Sequence, residues 1–286
     1  SGDGGNINIF APENINISGE GRITVETEGS GDAGKIIIET ENLTIAENTT
    51  ISAATSNSGD GGSININPSE SFQLEGQIIT ETTGTGNGGK ITINTGSLQA
   101  KNGTISARST DAGNAGAIEI TAQENIATGI IQSSASESQE TADGGNISII
   151  SQQGEIDATQ PIQSFSEKGN AGNVTLQAKS DITTNTISSH GQQQGGEITI
   201  TTETGNVNTS QGFLANYSGD GNGGNVTIEA PQGDITSSDI YSFADADGGQ
   251  IFLKAGGNIN ISQNSDIISA SEPPEKEGER GSGGVG

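Results

Sequence analysis

The sequence predicts an all-β fold, a parallel β-helix (β-solenoid) of about ten coils with three short strands in each. Three observations predict it. A glycine doublet recurs along the chain, apolar residues alternate immediately after each copy, and the rest of the composition forbids an ordinary globular core. Taking the second glycine of each doublet, or of Ala-Gly, as an anchor gives Gly5, Gly34, Gly62, Gly89, Gly116, Gly145, Gly172, Gly196, Gly224 and Gly249, separated by 24 to 29 residues. A period of that size is the signature of stacked repeats.

The first strand follows the anchor. Apolar residues stand two and four positions on, at Ile7/Ile9, Ile36/Ile38, Ile64/Ile66, Ile91/Ile93, Ile118/Ile120, Ile147/Ile149, Val174/Leu176, Ile198/Ile200, Val226/Ile228 and Ile251/Leu253. Alternation of this kind marks a strand with one buried face. A weaker second strand begins about ten residues after the anchor, clearest at Ile15/Ile17, Leu43/Ile45, Phe72/Leu74 and Ile259/Ile261. A third follows at Ile23/Val25, Ile51/Ala53, Ile105/Ala107 and Ile187. One coil cannot bury its own isoleucines, but coils stacked at about 4.8 Å can, making a rod of roughly 48 Å. Each buried Ile contributes about 1.5–3 kcal/mol, which offsets the ordering of a glycine-rich backbone.

The doublets are corners, where a positive φ or tight packing between coils excludes a Cβ. Two residues before each anchor stands Asp3, Asp32, Asp60, Asn87, Asn114, Asp143, Asn170, Gln194, Asn222 or Asp247. Asp and Asn bond their own backbone in turns and stack as side-chain ladders, so the column reads as corner punctuation. The regular pattern covers residues 1–271; residues 272–286, "EPPEKEGERGSGGVG" with its Pro and alternating charges, read as a loop or linker leading into a further coil at Gly283-Gly284. With no initiating Met and the repeat already under way at Gly2, the chain is expected to be a segment of a longer protein.

Composition narrows function. Of 286 residues 45 are Gly and none is Cys, Met or Trp; Asp and Glu number 36 against 10 Lys and Arg, a net charge of −26. Disulfides and thiolate metal sites are excluded, and so are nucleic acids and anionic membranes as partners, which need a basic face. A catalytic β-helix needs converging carboxylates with a Lys or Arg; no pair stands out here, and Arg22 and Arg108 occupy different places in their coils. His190, in "SSHGQQQ", reads as a surface residue in a turn, without a companion ligand. Phe213 and Tyr241 both fall seventeen residues after their anchors and read as stacked third-strand core, or else as a small carbohydrate-facing cluster, with Tyr217 exposed.

Calcium is the other candidate. A β-roll repeats every nine residues, not every 27 or so, but Asp3, Asp32 and Asp60 share a column, and like charges there must face solvent or a bridging cation. Each can be satisfied by its own turn, and Asn replaces Asp in later coils, so no metal or cofactor is expected. A flat Thr ladder for ice fails too: the outward column reads Asn8, Ile37, Asn65, Thr92, Glu119, Ser148, Thr175, Thr199, Thr227, Phe252. Asn-x-Ser/Thr triplets, as at Asn42 and Asn102, follow from composition.

The phrases "GDGGNINI", "GNAGNVTL" and "GNGGNVTI", with "NINIS" and "TISA" in later strands, resemble the filamentous haemagglutinin-like exoproteins of two-partner secretion, especially the long Gly/Asn/Ile-rich members common in cyanobacteria. The resemblance covers residues 1 to about 271. It implies a right-handed β-helix, an outer-membrane secretion transporter as partner, a secreted or cell-surface location, and adhesion or aggregation against host, neighbouring-cell or matrix surfaces, with glycans among the candidate ligands. The Asn-Pro-Asn motifs of that family's secretion domain do not occur in this sequence, so none of its residues carries over. The function expected is an extended stalk or adhesive surface without catalysis; the alternatives are a polysaccharide-binding or polysaccharide-degrading β-helix and a calcium-stabilised surface-layer-type protein.

Overall fold

The computed structural model describes residues 2–136 and 141–271; the expected linker, 272–286, lies outside the described residues. The chain winds into a parallel β-solenoid of about ten coils. Every named strand pairing is parallel, each strand of the interior coils bonding to its counterparts one coil earlier and one coil later, as in Ile118–Ala122 between Ile91–Thr95 and Ile147–Ser151. The third strands form a ten-stranded sheet of their own, and the first and second strands together form the other sheet. Two coils run first and second strand together, Lys35–Ile45 and Ser63–Leu74, and their shared register shifts between Thr40 and Asn42.

The inward pairs stack as columns. Every interior pair from Ile36/Ile38 to Val226/Ile228 is buried to within 1% of complete exclusion from solvent. The end pairs, Ile7/Ile9 and Ile251/Leu253, are only partly buried because each has a coil on one side alone. The outward column between them pairs as expected, Glu119 beside Thr92 and Ser148, Thr199 beside Thr175 and Thr227.

Of the two explanations for the corner glycines, close approach is the one realised. No anchor glycine has a positive φ, whereas a Cβ on Gly34 would sit 1.8 Å from the carbonyl oxygen of Gly5. The positive φ values fall elsewhere, at Gly19, Asn48 and Asn264 in turns after second strands, residue types that tolerate that region.

The Asp/Asn column is a ladder between coils, not a series of self-contained turns. Asp32 N–H donates to Asp3 Oδ1, Asp60 N–H to Asp32 Oδ1 at 2.8 Å, Asn87 N–H to Asp60 Oδ1 at 2.7 Å, and the pattern continues through Asn114, Asp143 and Asn170. A side-chain oxygen is the common requirement, so Asp and Asn interchange freely. A matching ladder at the second corner joins Asp181, Asn206, Asp234 and Asn258.

Inside the third-strand sheet, small polar residues replace aliphatics in the carboxyl-terminal half. Ser133 Oγ donates to Gly116 O at 2.8 Å and accepts from Gly145 N–H at 2.9 Å, linking the anchors of consecutive coils. Ser164, Ser189 and Ser242 repeat the link, and Asn216 makes it with its amide. The buried carbonyl and amide left by each corner thereby find partners.

Candidate functional site

Side chains of the third strand alternate between core and solvent. In Ile162–Ser166, Ile187–Gly191, Leu214–Ser218 and Ile240–Ala244 the first, third and fifth residues are buried, and the fourth, flanked by them, faces outward. In-register pairing then sets Phe165 beside His190, His190 beside Tyr217, and Tyr217 beside Phe243. The rings touch edge to face: Phe165 and His190 have centroids 5.3 Å apart at 85°, His190 and Tyr217 4.6 Å apart at 81°. Tyr241, outward from the second position of its strand, stacks on Phe243 at 5.3 Å. Phe213 stands one residue before the inward Leu214 and is 41% exposed.

Five of the chain's eight aromatic residues, and its only histidine, thus lie on one face of four consecutive coils. Of the other three, Phe72 is in the core, and Phe10 and Phe252 lie on the end coils. Followed toward the amino terminus, the same column becomes Ser134, Arg108, Glu81, Ala54 and Glu26. Its chemistry changes from charged to aromatic midway along the rod.

Three sequence expectations need correction. His190 is in a strand, not a turn, and is half-buried between Phe165 and Tyr217. Phe213 and Tyr241 do not stack: Tyr241 pairs with Ala215, and Leu214 with Ile240. Neither is core, since Phe213 is exposed and Tyr241 half-buried, while Tyr217, expected to be exposed, is half-buried within the ladder. Counting from the anchors failed because the third strand begins 18 residues after Gly196 but 16 after Gly224. Aligning the strands themselves, "IQSFS", "ISSHG", "LANYS" and "IYSFA", reveals the column.

Burial pushes the His190 imidazole below its ordinary value. A depressed folded-state value means that protonation favours the unfolded chain, so this contribution is intact above the unfolded pKa of about 6.5 and is lost as pH falls below it. The expected result is a melting temperature that drops from about pH 7.5 to about pH 5.5 by more in the wild-type chain than in His190→Phe, which keeps a ring in the ladder. The phenol of Tyr241 is raised by burial and by the carboxylates of Asp239 and Asp266, and so remains a hydrogen-bond donor.

Arg22 pairs with Glu26 at 3.1 Å and Arg108 lies 3.9 Å from Glu81; the two arginines stand at different positions of their strands, three coils apart. Among the described residues no group of three or more His, Cys, Asp or Glu is arranged to hold a metal ion. In the Asp3–Asp32–Asp60 column the backbone of the next coil already occupies one carboxylate oxygen of each. Thermal unfolding in chelator and in millimolar calcium is therefore expected to give the same melting temperature; a calcium-dependent rise abolished by Asp32→Asn would make the column a metal site. Compared with known proteins, the chain matches no family model, no curated protein and no solved structure.

Proposed function

We propose that this chain is an extended, non-catalytic segment of a secreted or cell-surface exoprotein, a rigid stalk that carries an adhesive surface. The observation that carries the reading is the aromatic face: half-buried rings concentrated on one side of four coils of an otherwise polar, acidic rod. Aromatic residues massed at the surface mark contact sites, because they offer large apolar area with a polar tip. The sequence resemblance to filamentous haemagglutinin-like exoproteins points the same way, and with it come export through an outer-membrane transporter and contact with other cells or matrix.

Against the polysaccharide-degrading alternative stands the disposition of the charges. A groove of about 840 Å³ among the described residues is lined by Glu20, Glu47 and Glu75 with amides and hydroxyls, and no Lys or Arg is among its lining residues. Lysines are instead spent on pairs between coils, such as Lys90–Glu119 and Lys179–Glu203. The test is to coat beads with the chain and measure their aggregation and attachment to bacterial and matrix surfaces, alongside the release of reducing ends from a polysaccharide panel. Attachment above uncoated beads with no release is expected. Release abolished by a single carboxylate substitution, or attachment no better than uncoated beads, overturns the proposal.

A further inference from the structure

We propose that the aromatic face is a binding track for a neutral, linear polysaccharide lying along the rod axis. This rests on the adhesive reading and names its ligand.

The ligand's chemistry follows from what the face presents. Phe165, Tyr217 and Phe243, with His190 between the first two, offer ring surface held in place by edge-to-face and strand contacts, so little side-chain freedom is lost on binding. Successive rings are turned nearly at right angles, so the column offers alternating ring faces and edges, and a partner must supply apolar patches at short, regular intervals along it. The C–H faces of pyranose rings do so, and stacked coils repeat the aromatic position every 4.8 Å or so, a step of the order of one sugar unit. Over four coils the track meets about four units and stops at both ends, where the column becomes Ser134 and Ala270.

Hydroxyl groups find partners beside the rings. Gln163 and Ser188 occupy the neighbouring outward column, and the Tyr241 phenol, its proton directed to Asp239, presents its oxygen as an acceptor together with the carboxylates of Asp239 and Asp266. Alternating apolar and hydrogen-bonding surface suits a carbohydrate, whose own surface alternates in the same way. Charge selects the neutral kind: with a net charge of −26 and carboxylates at the edge of the track, sulfated or uronic polymers and nucleic acids are repelled. A protein partner would not require the axial repeat, and a second copy of the chain would bring the same carboxylates together.

The experiment probes the full chain on an array of neutral, sialylated and sulfated oligosaccharides, including neutral linear series of increasing length. Variants are Tyr217→Ala, Phe243→Leu and, as a control on the other sheet, Phe10→Ala, whose side chain is 74% exposed. Binding to neutral oligomers that strengthens up to about four units, weakens roughly tenfold in Tyr217→Ala and Phe243→Leu and is unchanged in Phe10→Ala supports the track. Melting temperatures are measured in parallel, and Phe243→Leu retains apolar bulk, so loss of binding is separable from loss of folding. Several results overturn the proposal: preference for anionic glycans, binding indifferent to both face variants, or self-association that disappears in Tyr217→Ala. If no glycan binds while coated beads still attach, and protease treatment of the target surface abolishes attachment, the adhesive reading stands with a protein ligand and the glycan track falls. Failure of both assays removes both.

Discussion

Ile149→Asp is expected to break the solenoid in the middle, while Ser148→Asp, one residue away, leaves it nearly intact. Ile149 is wholly buried between Ile120 and Leu176 in the first-strand column, and an aspartate there meets aliphatic carbon on every side. An unpaired buried charge belongs to the rare substitutions costing about 5 kcal/mol or more, whether it ionises or is held neutral by the fold. Ser148 points outward between Glu119 and Thr175, so a carboxylate there adds only repulsion from Glu119, of roughly 0.2–1 kcal/mol. In a solenoid each coil contacts only its neighbours, so the Ile149 variant is also expected to expose a protease-sensitive break near that coil before the ends unravel. Thermal unfolding by circular dichroism and limited proteolysis check both statements; equal effects of the two substitutions would reverse the inward and outward faces.

The second large effect is expected at a corner. In Gly116→Ala the new Cβ would lie 1.9 Å from the carbonyl oxygen of Gly89 and 2.6 Å from its carbonyl carbon, closer than any real contact. Because φ at Gly116 is not positive, the penalty is steric, and it can be relieved only by parting the two coils. Parting them weakens the corner hydrogen bonds that join these two coils, Gly88 N–H to Asn114 O at 2.7 Å and Asn114 N–H to Asn87 Oδ1 at 3.1 Å. A cost of about 3 kcal/mol or more is expected, at the upper end for overpacked sites. Gly21→Ala is the comparison: its nearest neighbour would be Ser18 O at 3.5 Å, and restricting the unfolded backbone there should be neutral or stabilise by up to about 1 kcal/mol. A Gly116→Ala variant as stable as the wild type would mean that the coils are not stacked this closely.

Much of the fold was legible because the repeat exposes its rules many times over. The inward pairs, the outward column from Asn8 to Phe252 and the Asp/Asn corner position were assigned by counting from the anchors, and the observed pairings agree at each. First strands start a fixed distance from the doublet, so that count cannot drift. Third strands come after two corners of variable length, and the count drifted there. It misassigned Phe213 and Tyr241, and it hid the Phe165–His190–Tyr217–Phe243 column, whose members looked like isolated residues in unrelated contexts. The buried serine column was missed for a different reason. Hydropathy patterning treats Ser133, Ser164 and Ser189 as surface residues, and only the corner groups of adjacent coils show why hydroxyls belong inside.

Everything said of the aromatic face depends on the register of the third strands, and a chain without cysteine allows that register to be read directly. Ala215 and Tyr241 are partners in adjacent coils, with Phe213 two residues before Ala215. Partners about 4.8 Å apart are within reach of a disulfide, whereas an offset of two residues adds about 6.6 Å along the strand and exceeds the roughly 7 Å limit. The measurement is oxidation of two double variants, Ala215→Cys with Tyr241→Cys and Phe213→Cys with Tyr241→Cys, followed by non-reducing electrophoresis of the intramolecularly cross-linked chain. Rapid closure of the first pair, with the second remaining as free thiols, is the predicted result. Closure of the second pair in preference to the first would contradict it, placing Phe213 beside Tyr241 and dispersing the ladder.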